Sequence, residues 1–404
     1  METWLTYLAA LLMAFATAFA FPSSQTVLNA VSCASRTLTG VAVFLFIPVS
    51  FMTLSAGTAS LRKDRIGRKT VTTAVIWTLV SSVVLSLLAL VAVNILHVSF
   101  PVTASAGGDA VTLFNDYASS SDITGVVSFM NTAFIPMLLL SLIAGMALTP
   151  SSDIIRPAYT VFNSLSEAMY RIEKCVTFFG AFYVYLAGTS LFITMWQEKT
   201  AFVSPSFFLK TAGASLAVLL VVIPLLYAVF TRFRKNPYRI LSRGFSSLVF
   251  AFVSGNIYAC ALQNEAVNRY SLGVQKRIVS TLTPFGILIT RGGTCFVSTF
   301  TVIALLKTLG AEISTFAAVA MALVVVLLSL LSTLSAGSET ALVIIVLLRV
   351  LNINMYGAEA AVISIIPFLN GIAAMIDITL ISMASNIAAL RTKTDVTIPL
   401  RDAI

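Results

Sequence analysis

The first half of the chain alternates long apolar runs with short polar connections. A helix that crosses a bilayer needs roughly 20 predominantly apolar residues. Runs of about that length or longer lie at about 3–21, 38–58, 71–97, 128–148, 165–195 and 207–231. The pattern therefore predicts six membrane-spanning helices.

The pattern changes at Phe245, where the apolar pieces become shorter. Small and polar residues interrupt them at Ser254-Gly255-Asn256, at Gly292-Gly293 and at 335–340. Irregular backbone is tolerated at membrane depth only where protein buries it or water reaches it. We expect two interrupted hairpins, each followed by a long helix at about 276–308 and 358–392. Duplicated broken elements of this kind point to a binding site near the middle of the membrane.

The composition agrees with a membrane protein and excludes several other classes. Hydrophobic residues make up 58% of the chain, charged residues 10%, and the mean hydropathy is +0.97, so a soluble fold could not cover its surface with polar groups. The basic residues lie in short clusters between apolar runs, which argues against nucleic-acid binding. With one histidine, His97, and four cysteines without a CxxC spacing, no metal site or enzyme active site is expected. The fold class predicted is an all-α polytopic membrane protein.

The basic clusters also predict the orientation. Segment 61–69 carries five basic residues and segment 231–239 carries four, whereas 98–124 has none. Because basic loops stay in the cytoplasm, both termini are predicted to be cytoplasmic. Three acidic residues are then expected near the cytoplasmic surface, without a special role: Asp153, Glu167 and Glu173.

Three segments are informative: IPVSFMTLSAGTASLRKDRIGRK at 47–69, SLSEAMYRI at 164–172 and LTPFG at 282–286. In their order and spacing they resemble the dicarboxylate/amino acid:cation symporter family, which has the glutamate-transporter fold. The resemblance implies eight transmembrane helices and two re-entrant helical hairpins. It also implies a homotrimer in the lipid bilayer, a bacterial-type inner-membrane location, and transport of an amino acid or carboxylate by alternating access. The regions implied are a six-helix scaffold and oligomerisation region at 1–242, a transport region at 243–392 and a cytoplasmic tail at 393–404.

The seventh helix departs from the family pattern where it is broken. The family has an Asn-Met-Asp-Gly-Thr motif that helps to bind sodium, and this chain has Thr290-Arg291-Gly292-Gly293-Thr294. A fixed cation about 4 Å from a sodium site would disfavour the ion by roughly 4 kcal/mol at an effective dielectric near 20. The resemblance thus implies Na⁺ as the coupling ion, but the altered motif disfavours it. The alternatives are coupling to H⁺ and exchange.

The resemblance also implies the candidate site residues. Segment 371–377, GIAAMID, resembles the family's segment ending in the aspartate that holds a substrate ammonium, here Asp377, while the position of the family's substrate-side arginine is near Leu380. The substrate-binding candidates are Asp377, Arg291, Thr294, Ser254, Asn256, Ser335, Gly337, Ser338 and Glu339. The ion-coupling candidates are Asp377, Glu339, Thr290, Ser382 and Asn386.

Two alternatives stay open at this point. Arg291 could simply form an internal ion pair with Asp377 or Glu339, because removing one member of a buried pair costs roughly 3–5 kcal/mol. The protein could also be a non-transporting membrane sensor, or an anion channel in which Arg291 selects anions.

Overall fold

The computed structural model describes residues 3–22, 24–98, 100, 125–148, 153–201, 205–310, 313–335, 337–351 and 358–394, and every regular element within these ranges is helical. The first half contains α1 (Thr3–Ala20), α2 (Gln25–Lys63), α3 (Gly67–Leu96), α4 (Val126–Ala147), α5 (Arg156–Ala201), α6 (Pro205–Ala217) and α7 (Ile223–Phe230). The second half contains α8 (Tyr238–Arg243), α9 (Phe245–Ser254), α10 (Ile257–Tyr270), α11 (Lys276–Ile289), α12 (Gly292–Thr308), α13 (Thr315–Leu331), α14 (Glu339–Val350) and α15 (Ala358–Thr392).

The predicted fold class is confirmed. Seven helical stretches of the described chain are long and apolar enough to cross a membrane, counting α6 with α7 and α11 with α12 as one stretch each. The remaining predicted span, α1, is a shorter apolar helix of 18 residues. The stretches Lys276–Thr308 and Val362–Thr392 are mostly buried in protein, whereas the other five leave half or more of their most apolar part uncovered. The two late spans therefore lie inside the bundle.

The predicted interruptions are also present. Hairpin 1 consists of α9 and α10, which meet at Gly255; this glycine has a φ of 57° and ends α9. Hairpin 2 consists of α13 and α14, joined by a 3₁₀ turn at Ser332–Leu334 and by Gly337, whose φ is 80°. Both glycines adopt the left-handed conformation that residues with a Cβ avoid.

The join between α6 and α7 shows how one proline shapes a span. Pro224 has no N–H and cannot bond to the carbonyl four residues earlier, and a π-helical segment, Val218–Val222, precedes it. The Tyr238 hydroxyl donates a hydrogen bond to the Leu220 carbonyl at 3.0 Å. An aromatic residue after the span thus satisfies the backbone group that the proline leaves without a donor.

Polar contacts show which helix ends lie on the same side of the bundle. At one end, Asp64 pairs with Arg277, and Glu167 pairs with Lys276 at 3.1 Å. At the opposite end, the Lys210 ammonium donates to the His97 carbonyl at 3.0 Å. The basic segment 61–69 therefore shares a face with the starts of α5 and α11, as the predicted topology requires.

Helix α3 makes polar contacts across the predicted boundary at residue 242. The Trp77 indole donates to the Leu380 carbonyl at 3.0 Å, and the Ser86 hydroxyl bonds to the Thr299 hydroxyl at 2.9 Å. Because the polar residues of α3 find their partners on α12 and α15, α3 packs with the later region. The first six spans are therefore not one packing unit. Hairpin 1, in contrast, packs with α1, α2, α4 and α5 in a second apolar core.

Candidate functional site

The break in the seventh span is the centre of the candidate site. Helix α11 ends at Ile289 and α12 begins at Gly292, so Thr290 and Arg291 lie between two helix ends. A Cβ on Gly292 would lie 2.5 Å from a Leu380 methyl, and one on Gly293 would lie 2.2 Å from the Ala373 carbonyl oxygen. Because these two residues have no side chain, α15 packs directly against the backbone of the broken helix.

Asp377 on α15 caps the second half of the broken span. Its carboxylate accepts hydrogen bonds from the Gly293 amide at 2.7 Å, the Thr294 amide at 3.3 Å and the Thr294 hydroxyl at 3.1 Å. An anion is favoured at a helix N-terminus, where backbone N–H groups lack intrahelical partners. The structure therefore brings Asp377 and Thr294 together, and their hydrogen bonds stabilise the start of α12 at the break.

Arg291 and Glu339 form the ion pair of the site. The guanidinium Nη1 of Arg291 lies 3.4 Å from Glu339 Oε1, and both side chains are buried. The Tyr258 side chain also interacts with the guanidinium, but within the described part of the chain Nε and Nη2 of Arg291 make no hydrogen bond. The predicted internal ion pair thus exists, with Glu339 as the partner, but among the guanidinium nitrogens it involves only Nη1.

Thr290 is the other residue of the break. Its side chain is completely buried, and its hydroxyl has no hydrogen-bond partner among the residues that the structure describes. An unused buried hydroxyl beside a helix end is available to a ligand or an ion. The role of Thr290 in ion coupling stays a prediction.

The tips of the two hairpins meet above this break. A Cβ on Gly337 would lie 3.0 Å from the Asn256 amide nitrogen, and the Tyr258 hydroxyl donates to the Thr333 carbonyl at 2.9 Å. Asn370 of α15 donates to the Gly337 carbonyl at 2.8 Å. Hairpin 2 is thereby held against hairpin 1 and α15. The side chains of Arg291, Glu339, Thr294 and Asp377 are all buried beneath these contacts.

The predicted polar residues at the hairpin tips mostly form hydrogen bonds within their own tip. Asn256 accepts hydrogen bonds from the Tyr258 and Ala259 amides and caps α10. The Ser254 hydroxyl donates to the Asn256 carbonyl at the tip of hairpin 1. The Ser335 and Ser338 hydroxyls, at the tip of hairpin 2, bond to each other at 2.5 Å. These bonds shape the tips, and Ser254, Ser335 and Gly337 remain partly exposed.

Two of the ion-coupling candidates lie apart from the break. Ser382 donates to the Asn264 side-chain oxygen at 2.6 Å and accepts from the Asn268 amide at 3.2 Å. Asn386 donates to the Ser382 carbonyl at 2.9 Å. Ser382 thus belongs to a separate polar cluster between α15 and hairpin 1. Ser382 and Asn386 lie roughly 7.5 and 13.5 Å along the helix from Asp377 at 1.5 Å per residue.

The structure adds residues that the sequence did not single out. Asn370 holds the tip of hairpin 2, as described above. Glu173 corrects the prediction of a surface position: it is completely buried, as is Glu265 on α10.

Comparison with protein families agrees with this geometry. The sequence model described as the sodium:dicarboxylate symporter family matches residues 4–390, nearly the whole chain. A comparison with individually curated proteins found no match. The family match covers both hairpins, the broken seventh span and α15, so the chain belongs to the sodium:dicarboxylate symporter family.

Proposed function

We propose that this protein is a secondary active transporter that carries a small carboxylate, either an organic anion or an amino acid, by alternating access. Family membership supports membrane transport. The substrate class rests on the residues at the break in the seventh span.

One observation carries the substrate class: the unused edge of the Arg291 guanidinium. Nε and Nη2 lack partners in the described structure, while Nη1 faces Glu339. The Nε–Nη2 edge offers two parallel N–H donors, the geometry that binds a carboxylate with two hydrogen bonds. In a buried setting such a charge-assisted pair is strong and selective. The Thr290 hydroxyl adds a donor or acceptor close by.

Sodium is not expected to be the coupling ion at this break. Arg291 provides a positive charge where a cation would sit, and the nearby Asp377 carboxylate is already bound to Gly293 and Thr294. The chain contains no second carboxylate between Asp377 and the end of α15. Coupling to H⁺, or exchange of one anion for another, fits these residues better.

The moving part is proposed to be the region of about 243–392 together with α3, because the polar contacts of α3 lie on that region. It would move against α1, α2, α4 and α5. Family resemblance supports a homotrimer in a bacterial-type inner membrane with cytoplasmic termini. Native mass spectrometry of the protein in detergent tests the trimer directly.

The transport proposal is tested by thermal-shift and proteoliposome-uptake assays with amino acids, monocarboxylates and dicarboxylates, in sodium and in choline. We expect a carboxylate to raise the unfolding temperature and to be taken up equally well in choline. Uptake that collapses without sodium would contradict the coupling proposal, and the absence of any carboxylate-dependent shift or uptake would contradict the substrate class.

Matched variants connect the result to Arg291. Arg291→Lys keeps the charge but loses the two-donor edge, so carboxylate binding should fall by at least tenfold. Arg349→Lys makes the same exchange on the exposed end of α14 and should leave binding unchanged. Equal effects of the two exchanges would show that the guanidinium edge does not recognise the substrate.

A further inference from the structure

A second group of ionisable residues lies between α5 and hairpin 1, away from the break. Glu173 on α5 and Glu265 on α10 are both completely buried and interact electrostatically. Glu265 accepts a hydrogen bond from the Tyr170 hydroxyl at 3.0 Å. Glu173 lies one turn further along the same helix as Tyr170, on the same face.

Several of the carboxylate oxygens in this pair are unused. Neither oxygen of Glu173, nor Oε2 of Glu265, has a hydrogen-bond partner in the described part of the chain. An ionised carboxylate in such a place loses its hydration without compensation, which costs several kcal/mol. Two ionised carboxylates side by side would add their mutual repulsion. One proton on the pair removes the repulsion and the cost of one of the two buried charges.

The surrounding charges give the number of protons. The charged and titratable groups that face Glu173 and Glu265 are Arg269, Lys276, Glu167, Tyr170 and Tyr270. Both cations are turned toward Glu167: Arg269 donates to it at 2.8 and 3.1 Å and Lys276 at 3.1 Å. With all three glutamates ionised, the two cations leave one negative charge in excess. A single bound proton therefore makes the group neutral.

The position of the pair suits a proton that moves on and off. A cavity of about 490 Å³ reaches Arg269 and Lys276 from the face that carries the basic segment 61–69, and is also lined by Asn163 and Gln275. The cavity therefore brings solvent to Arg269 and Lys276, the two cations that face the buried pair. Glu173 belongs to α5, whereas Glu265 belongs to hairpin 1, so any sliding between these helices changes the distance between the two carboxyl groups.

We propose that Glu173 and Glu265 share one exchangeable proton, and that this proton is the coupling ion of the transporter. The second half of the statement rests on the transport function proposed above. Displacement of hairpin 1 along α5 separates the two carboxyl groups and exposes them to a different set of partners. The affinity of the pair for its proton then differs between the conformations, as coupling requires.

Proton occupancy can be measured without any substrate. Infrared difference spectroscopy of the protein in lipid nanodiscs, with the pH stepped through neutrality, detects the band of protonated carboxyl groups. Most glutamates titrate near about pH 4.3 and are silent in this step. We expect a titrating band in the unmodified protein, its loss in Glu173→Gln and in Glu265→Gln, and its retention in Asp64→Asn, which removes a carboxylate paired with Arg277. An unchanged band in both glutamine variants, or no band in the unmodified protein, would overturn the proton site.

Coupling is measured separately in proteoliposomes with a substrate found in the uptake screen. One proton per cycle should give about tenfold accumulation per unit of pH gradient. Glu173→Gln and Glu265→Gln should still exchange substrate but lose this dependence, and Glu173→Asp should restore part of it. Gradient-driven uptake that survives in both glutamine variants would overturn the coupling role. Absence of uptake in the unmodified protein would instead reject the transport function, and the infrared band would then decide the proton site alone.

Discussion

Asp377 Oδ1 accepts a hydrogen bond from the Gly293 backbone amide at 2.7 Å, so a carboxylate on α15 caps the helix that follows the break in the seventh span. The contact needs a residue without a Cβ, because a Cβ on Gly293 would also lie 2.9 Å from the Cβ of Ile376. The same carboxylate holds Thr294 through its amide and hydroxyl. The Asp377 carboxylate thus serves as the anion that stabilises the N-terminus of α12 at the break.

Asp377→Asn should destabilise the protein by about 2 kcal/mol or more, since charge-assisted hydrogen bonds are the stronger ones and the N–H groups lose an acceptor. The asparagine amide nitrogen cannot accept from Gly293 or Thr294. Thermal unfolding in detergent measures the effect. Ser385→Ala is the control, because the Ser385 hydroxyl donates to the Ile381 carbonyl of its own helix and not to the break. Equal unfolding temperatures for the two variants would contradict the capping role.

The ion pair between Arg291 and Glu339 makes a separate prediction. Arg291→Met or Glu339→Leu alone leaves a buried charge without its partner and should cost about 3–5 kcal/mol. The double variant removes both charges and should be more stable than either single variant. A double-mutant cycle by thermal or chemical unfolding measures this coupling. Additive losses would show that the two charges do not stabilise each other.

Much of this arrangement follows from local sequence. The glycines at 292 and 293, the small residues around Gly255, and the serines near Gly337 interrupt apolar runs, and the structure breaks its helices at each of these places. Such interruptions are visible without tertiary information because they depend on backbone freedom and on the lack of apolar side chains.

The partners of the polar side chains could not be predicted in the same way. The amides that Asp377 caps lie 83 and 84 positions earlier in the chain. The sequence predicts a position near the surface for Glu173, as for Glu167. However, hairpin 1 covers the next turns of α5, and its position depends on packing between distant segments. Ser382 likewise contacts hairpin 1 instead of the break, and the Asn386 amide bonds within α15.

Gly293→Ala tests the close approach of α15 to α12. The added methyl would lie 2.2 Å from the Ala373 carbonyl oxygen, a backbone atom that cannot turn away. We expect a loss of at least about 1–3 kcal/mol, as for overpacked cores. Gly213→Ala is the matched control, because that glycine is exposed in α6 and a Cβ there would meet no atom within 4 Å. This change should stabilise the helix by about 0.5–1 kcal/mol. The same sign for both substitutions would argue against a steric requirement at Gly293.

Asn370→Ala should release the tip of hairpin 2. The Asn370 amide donates to the Gly337 carbonyl at 2.8 Å and holds the tip over the ion pair of Arg291 and Glu339. Without this bond, a cysteine placed at Ser335 should react faster with a maleimide, in a background where the exposed Cys33 and Cys175 are replaced by serine. Asn386→Ala is the control, because the Asn386 amide bonds within α15. Since Tyr258 still donates to Thr333 in the Asn370 variant, the expected change is a several-fold increase in labelling rate with the fold retained. An unchanged rate would mean that the contact from Tyr258 alone keeps hairpin 2 closed.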